Sequence, residues 1–190
     1  MGSTGSTKRA KRRIASVLAA GCAAGLLPVA TAAADSPAPA ATRGVAPEPW
    51  EPYVDQGFTA PAGYTCAFPL KATPLEQDMV KRVLERHPGG AVKREEYKGP
   101  LVVEYENTDT GATVVRDVGG RGFPEYRTDG RLKRYLAVGP VGFGMRDGDD
   151  FPKGFWIVGG VHVAEFAEDG TRGFSVRMGP EENVCEALES

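Results

Sequence analysis

His162 and Arg177 are the two residues whose types and placement come nearest to a binding or catalytic pair. If "VHVAEFAEDGTRGFSVRM" folds back on itself at Asp169-Gly170, His162 lies opposite Arg177, on a face shared with Ala164, Phe166 and Ser175. On the wall of a pocket, that pair binds an anion or supplies a general base. On a wet sheet face it is an ordinary cross-strand neighbour, and that reading is favoured. The other face of the same hairpin carries Val161, Val163 and Glu165 opposite Met178, Val176 and Phe174, so Glu165 must reach the rim or meet a cation.

The remaining polar candidates are weaker. Glu104 and Glu106 lie two apart and face one side of a strand. Carboxyl pairs about 5–10 Å apart hydrolyse glycosides, but strand alternation places such pairs on any solvent face. "RDGDD", with Asp147, Asp149 and Asp150, resembles part of a calcium loop but lacks the regular oxygen ligands and terminal Glu. Trp50, Tyr53, Phe155 and Trp156 could form an aromatic surface for carbohydrate or peptide, although core packing accounts for Trp156. No G-x-S-x-G elbow, H-E-x-x-H, paired C-x-x-C or phosphate loop occurs, and the histidines are only His87 and His162. No catalytic residue, metal or cofactor is expected.

The compartment is written at the start of the chain. Lys8, Arg9, Lys11, Arg12 and Arg13 precede the uncharged run "IASVLAAGCAAGLLPVATAAA", which ends in small residues before Asp35. This is the pattern of a secretory signal peptide, with cleavage expected between Ala34 and Asp35. "AAGC" offers a competing lipoprotein site at Cys22, but Ala19 stands where Leu is usual. Without residues 1–34 the chain carries 18 Lys+Arg against 25 Asp+Glu, a net of −7. That balance argues against nucleic-acid binding and against attraction to an anionic membrane. Two cysteines then remain, Cys66 and Cys185, and in an oxidising compartment they are expected to form a disulfide.

Residues 35–62 hold six prolines and many alanines, the composition of a linker, although Trp50, Tyr53 and Phe58 stand out. Residues 63–190 are the expected single domain, with no repeat array. Its signals are mostly β. Strands are read at 101–106 and 112–118 around "NTDTG", around a two-residue turn at Asp129-Gly130, and at 154–160. The Asp129-Gly130 register sets Glu125 opposite Arg134 and Tyr126 opposite Lys133. "TPLEQDMVKRVLERHPGG" is ambiguous: Thr73-Pro74 and Glu76 form a helix start, with Leu75, Met79, Val80, Val83 and Leu84 at helical spacing. A short helix at 74–86 competes there with a hairpin turning at Pro88-Gly89-Gly90.

The order Cys-x-Phe-Pro, "PGG", "EYENTDTGATVVRDVGGRG", "TDGRL", "GFWIVGG", "EDG" and "VCEAL" resembles a family of small secreted actinobacterial proteins of uncharacterised function. The resemblance spans most of residues 64–188 and rests on turn and cysteine signals. It implies a β-rich domain throughout, with a hairpin at 80–97. The expected fold is therefore mainly β, a small antiparallel barrel or sandwich of consecutive hairpins. The expected function is that of a secreted, extracellular, non-catalytic scaffold binding a small ligand, glycan or protein partner. The alternatives are a hydrolase or isomerase using His162 or carboxylates, and an inhibitor presenting residues 144–154.

Overall fold

A computed structural model describes residues 46–189, so the expected signal segment, Cys22 and the Ala34/Asp35 junction lie outside the described residues. The chain forms β1 (Glu51–Tyr53), β2 (Phe58–Ala60), β3 (Leu70–Gln77), β4 (Met79–Arg86), β5 (Val92–Lys98), β6 (Leu101–Asn107) and β7 (Ala112–Asp117). It continues through β8 (Arg121–Tyr126), β9 (Leu132–Val138), β10 (Val141–Met145), β11 (Gly154–Val158), β12 (Val161–Phe166), β13 (Arg172–Met178), β14 (Glu181–Asn183) and the short helix α1 (Val184–Ala187). All pairings are antiparallel. The strands make a seven-stranded sheet β1-β4-β5-β8-β9-β12-β13, a four-stranded sheet β2-β3-β6-β7 and a three-stranded sheet β10-β11-β14. The large sheet is open, with β1 and β13 as its edges, so the arrangement is sandwich-like and not a closed barrel.

One local rule generates this topology. Gly99-Pro100, Gly119-Gly120, Gly139-Pro140, Gly159-Gly160 and Gly179-Pro180 recur every 20 residues. At each pair the chain passes between the large sheet and a smaller one. Between pairs it makes one hairpin. The junctions also touch one another: Gly120 N donates to the Pro140 carbonyl at 2.9 Å, Gly139 N to Gly160 at 2.8 Å and Gly159 N to Pro180 at 2.8 Å. Backbones this close leave no room for a Cβ; one on Gly120 would stand 2.5 Å from the Pro140 oxygen.

The three turns of the large sheet repeat at 40 residues, bond for bond. His87 N donates to Ala91 O at 2.8 Å, Arg127 N to Arg131 O at 2.8 Å and Ala167 N to Thr171 O at 2.9 Å. Gly90, Gly130 and Gly170 each close the turn from a positive φ. Even an ion pair recurs, Lys93–Glu85 at 2.6 Å and Lys133–Glu125 at 2.9 Å. The expectation of no repeat is thus overturned: the domain is an array of hairpins related at 20 and 40 residues.

Several expectations change with it. No helix forms at 74–86; these residues lie in β3 and β4 on either side of Asp78. Strand pairing on both sides outweighs the local helix-start chemistry, and a bulge after Pro74 absorbs its missing N–H. The hairpin at 80–97 implied by the family resemblance does form, as β4 and β5. The Asp129-Gly130 loop is longer than two residues, because the closing bond joins Arg127 to Arg131. Glu125 still faces Arg134, but Tyr126 faces Leu132 rather than Lys133. In β12–β13, His162 does face Arg177, yet a bulge after Val163 pairs Phe174 with Ala164 instead of Glu165. The buried face is therefore the one bearing His162 and Ala164, and Val161 and Val163 are only half-buried.

The expected linker is partly structured: Glu51–Tyr53 pairs with β4 and Phe58–Ala60 with β3. The expected disulfide joins Cys66 to Cys185, 119 residues apart, with Cα atoms 5.4 Å apart. It sits in the larger of two buried clusters, with Leu70, Val103, Tyr105, Phe155 and Val184. The second cluster, around Met145, Val158 and Ala164, lies beneath β9 and β12.

Candidate functional site

Inward positions on strands of all three sheets face a common interior, and tyrosine occupies an unusual share of them. Tyr53 on β1, Tyr97 on β5, Tyr105 on β6, Tyr126 on β8 and Tyr135 on β9 line one cavity, five of the six tyrosines in the chain. Its volume is about 380 Å³, within the range of small-molecule sites. Apolar wall is supplied by Met79, Leu101, Val103, Val118, Val141 and Phe155, and Phe58 stands exposed beside it. Glycine makes space for the rings. A Cβ on Gly122 would overlap the Tyr135 hydroxyl, and one on Gly142 would stand 2.8 Å from the Phe155 Cζ and 3.5 Å from the Tyr105 hydroxyl.

The hydroxyls divide into two sets. Tyr97 and Tyr126 each donate to Glu95 Oε2 at 2.9 Å, with Lys81 Nζ at 3.7 Å from the same carboxylate. Tyr53, Tyr105 and Tyr135 hydrogen-bond to no side chain or backbone group among the described residues. Burial raises the pKa of all five phenols, assisted by Glu95 at Tyr97 and Tyr126 and by Asp55 at Tyr53 and Tyr105. Tyr135 is pushed up to about 12. All five therefore remain neutral O–H donors at ordinary pH. Three such donors, on half-buried Tyr53 and Tyr135 and on buried Tyr105, face the cavity free to donate to a ligand that accepts from them.

The pair singled out from sequence is elsewhere. His162 is fully buried, and its Nε2–H donates to Glu181 Oε1 at 2.9 Å. Arg177 grips the same carboxylate through Nε at 2.8 Å and a terminal nitrogen at 2.5 Å, with its guanidinium 4.6 Å from the centre of the Phe151 ring. Neither residue lines the tyrosine cavity. The hydrogen bond from Arg177, then that from His162, hold Glu181 down from 4.5 to about 2. A carboxylate with a depressed folded-state pKa adds stability that is complete above its unfolded value and disappears as pH falls through the folded one. Acid titration should therefore destabilise the protein between about pH 4.5 and 2, and Glu181→Gln should flatten that limb of a stability–pH curve. An unchanged limb would show that Glu181 is not the group responsible.

Other candidates are occupied by structural tasks. Asp149 accepts from Arg146 N at 2.7 Å and Arg172 N at 3.0 Å, and Asp147 pairs with Lys153 at 2.6 Å, which closes the 144–154 loop. Glu106 pairs with Lys71 at 3.2 Å, and Ser175 donates to Glu165 at 2.9 Å. Of the four aromatics proposed as a surface, Tyr53 and Phe155 line the cavity, whereas Trp50 lies between Arg82 and Lys98. Trp156 packs on Phe151. Among the described residues no group of three or more His, Cys, Asp and Glu could hold a metal, and no helix is long and apolar enough to cross a membrane.

No family model, curated protein or solved structure matches the chain. Tyr97, Tyr105, Tyr126, Tyr135 and Asp55 were not singled out from sequence. The burial alternation along β6, with Leu101, Val103 and Tyr105 inward, was the available signal for one of them.

Proposed function

We propose that the protein is a secreted, non-catalytic β-scaffold that binds a small ligand in the tyrosine-lined cavity. The observation that carries this reading is the set of three hydroxyls, on Tyr53, Tyr105 and Tyr135, that face the cavity without a protein acceptor. A ligand with an apolar body and hydrogen-bond acceptors satisfies them, and the surrounding rings supply contact area. Asp55 is the one carboxylate of the lining, no Lys, His or Cys joins it, and the phenols stay protonated at ordinary pH. Export is supported by the basic-then-apolar start of the chain and by the Cys66–Cys185 disulfide, a bond that persists in oxidising compartments.

The test uses protein purified from culture supernatant under native conditions. Native mass spectrometry should show a co-purified small molecule, or calorimetry should show saturable binding of 3-tert-butylphenol, a neutral apolar probe with one hydroxyl. Tyr105→Phe and Tyr135→Phe remove hydroxyls that no protein group uses, so each should leave the melting temperature unchanged or raised. Each should weaken binding of a ligand that accepts from it by about 2- to 12-fold, the worth of one net hydrogen bond. Absence of both a bound molecule and probe binding at millimolar concentration would overturn the reading.

A further inference from the structure

The cavity carries charge of one sign. Asp55 is its sole formally charged lining residue, and no Lys, Arg or His lines it. Asp55 Oδ1 accepts from Gly57 N at 2.7 Å, which closes the turn between β1 and β2. Its second oxygen has no hydrogen-bond partner among the described residues, and no cation there lies within ion-pair distance of it. Asp55 is half-buried, and other carboxylates drawn in from the surface differ from it in this respect. Glu95 has Lys81, Glu96 has Arg82 and Arg121, Asp149 has Arg172, and Glu181 has Arg177.

Aromatic rings accompany this carboxylate. Tyr53 meets Tyr97 edge-on at 5.0 Å between centroids. Phe155 joins Phe58 at 5.3 Å to Tyr105 at 5.1 Å. Asp55 lines the same cavity as both ring groups. Ring faces are the negative part of an aromatic quadrupole, and together with a carboxylate they favour a cation over a neutral molecule of the same shape. Phe58 is 41% exposed, and a ligand passing it enters from water. The excess of acidic residues over 35–190, 25 against 18, draws cations toward the protein.

We propose that the ligand of the cavity is a small organic cation, an alkylated or quaternary ammonium, held by Asp55 and the faces of Tyr53, Tyr105, Phe58 and Phe155. This assignment rests on the binding reading above and names its ligand class. The ammonium end sits toward Asp55. The remainder reaches inward past Tyr105 toward Tyr135, where the unpartnered hydroxyls donate to its hydrogen-bond acceptors.

The test compares two molecules of one shape, (3-hydroxyphenyl)trimethylammonium and 3-tert-butylphenol, which differ in a quaternary nitrogen against a quaternary carbon. Titration of the supernatant-purified protein by calorimetry should show the cation binding at least about tenfold tighter. Asp55→Asn keeps the oxygen that accepts from Gly57 and removes the charge. It should bring the two affinities within about twofold, by weakening the cation and leaving the phenol. Equal affinities in the parent protein, or a tighter phenol, would overturn the cation assignment while the binding reading stands. A preference for the cation that survives Asp55→Asn would overturn the role of Asp55. Binding of neither probe to protein that also carries no co-purified molecule would overturn both readings.

Discussion

Replacing Cys66 and Cys185 by alanine will lower the free energy of unfolding by about 5 kcal/mol, because the bridge closes a span of 119 residues and loop-closure entropy grows with the logarithm of length. The native side adds to the loss. Both cysteines are buried, and Phe155 N donates to Cys185 Sγ at 3.3 Å, a bond that alanine cannot accept. Domains of this size are stable by only about 5–15 kcal/mol, so the variant should be partly unfolded near room temperature. Denaturant titration with and without a reductant is the measurement. A loss under about 2 kcal/mol would show that the reduced, unfolded chain retains structure around the cysteines. The same change should abolish ligand binding, since Val103, Tyr105 and Phe155 belong both to the cluster around the disulfide and to the cavity wall.

Gly160→Ala will cost about twice as much as Gly130→Ala, although both glycines have positive φ, 76° and 81°. A Cβ at Gly130 meets nothing within 4 Å. It incurs only the left-handed backbone penalty of about 1–2 kcal/mol. At Gly160 the same atom would overlap the Met178 carbonyl and stand 3.1 Å from Gly179 Cα. Backbone on the other side cannot rotate away as a side chain would, and forced overlap adds about 1–3 kcal/mol. Relief by displacement would strain the bond from Gly139 N to Gly160 O at 2.8 Å. Thermal unfolding of the two variants is the check. Equal losses would show that the junctions between the sheets are loose, and that the contact of one glycine pair with the next does not hold the array together.

These two residues also illustrate how the fold was legible. The turn at Asp129-Gly130 can be read directly, since Asp and Gly together favour a tight reversal. The Gly159-Gly160 pair looks like another turn, but it is a bend between sheets whose partner is Gly179-Pro180, twenty residues on. Nothing in a local window separates those two uses of glycine. The helix-start signature at Thr73-Pro74-Leu75-Glu76 failed for a related reason. Local preferences of a few tenths of a kcal/mol per residue yielded to the ladders that β3 makes with β2 and β6.

The site was less legible than the fold. The His162–Arg177 pairing was correct as a register, yet the face bearing His162 is buried, the bulge in β13 brings Phe174 opposite Ala164, and both His162 and Arg177 bind Glu181. One extra residue in a strand changes which side of the sheet the following side chains occupy. The cavity tyrosines lie on five strands drawn from two sheets, and Asp55 falls in a segment whose proline content reads as a linker.

By itself the sequence determined the β-rich class, most hairpin positions, the pairing of the two cysteines and the lack of recognisable catalytic motifs, because each depends on local turn chemistry or on residue counting. Only the tertiary structure decided that the sheets remain open, that glycine pairs serve as junctions, and that five tyrosines and one unpaired carboxylate share a cavity. Those outcomes depend on contacts between residues tens of positions apart, and their energies come from packing and desolvation, which no short stretch of chain contains.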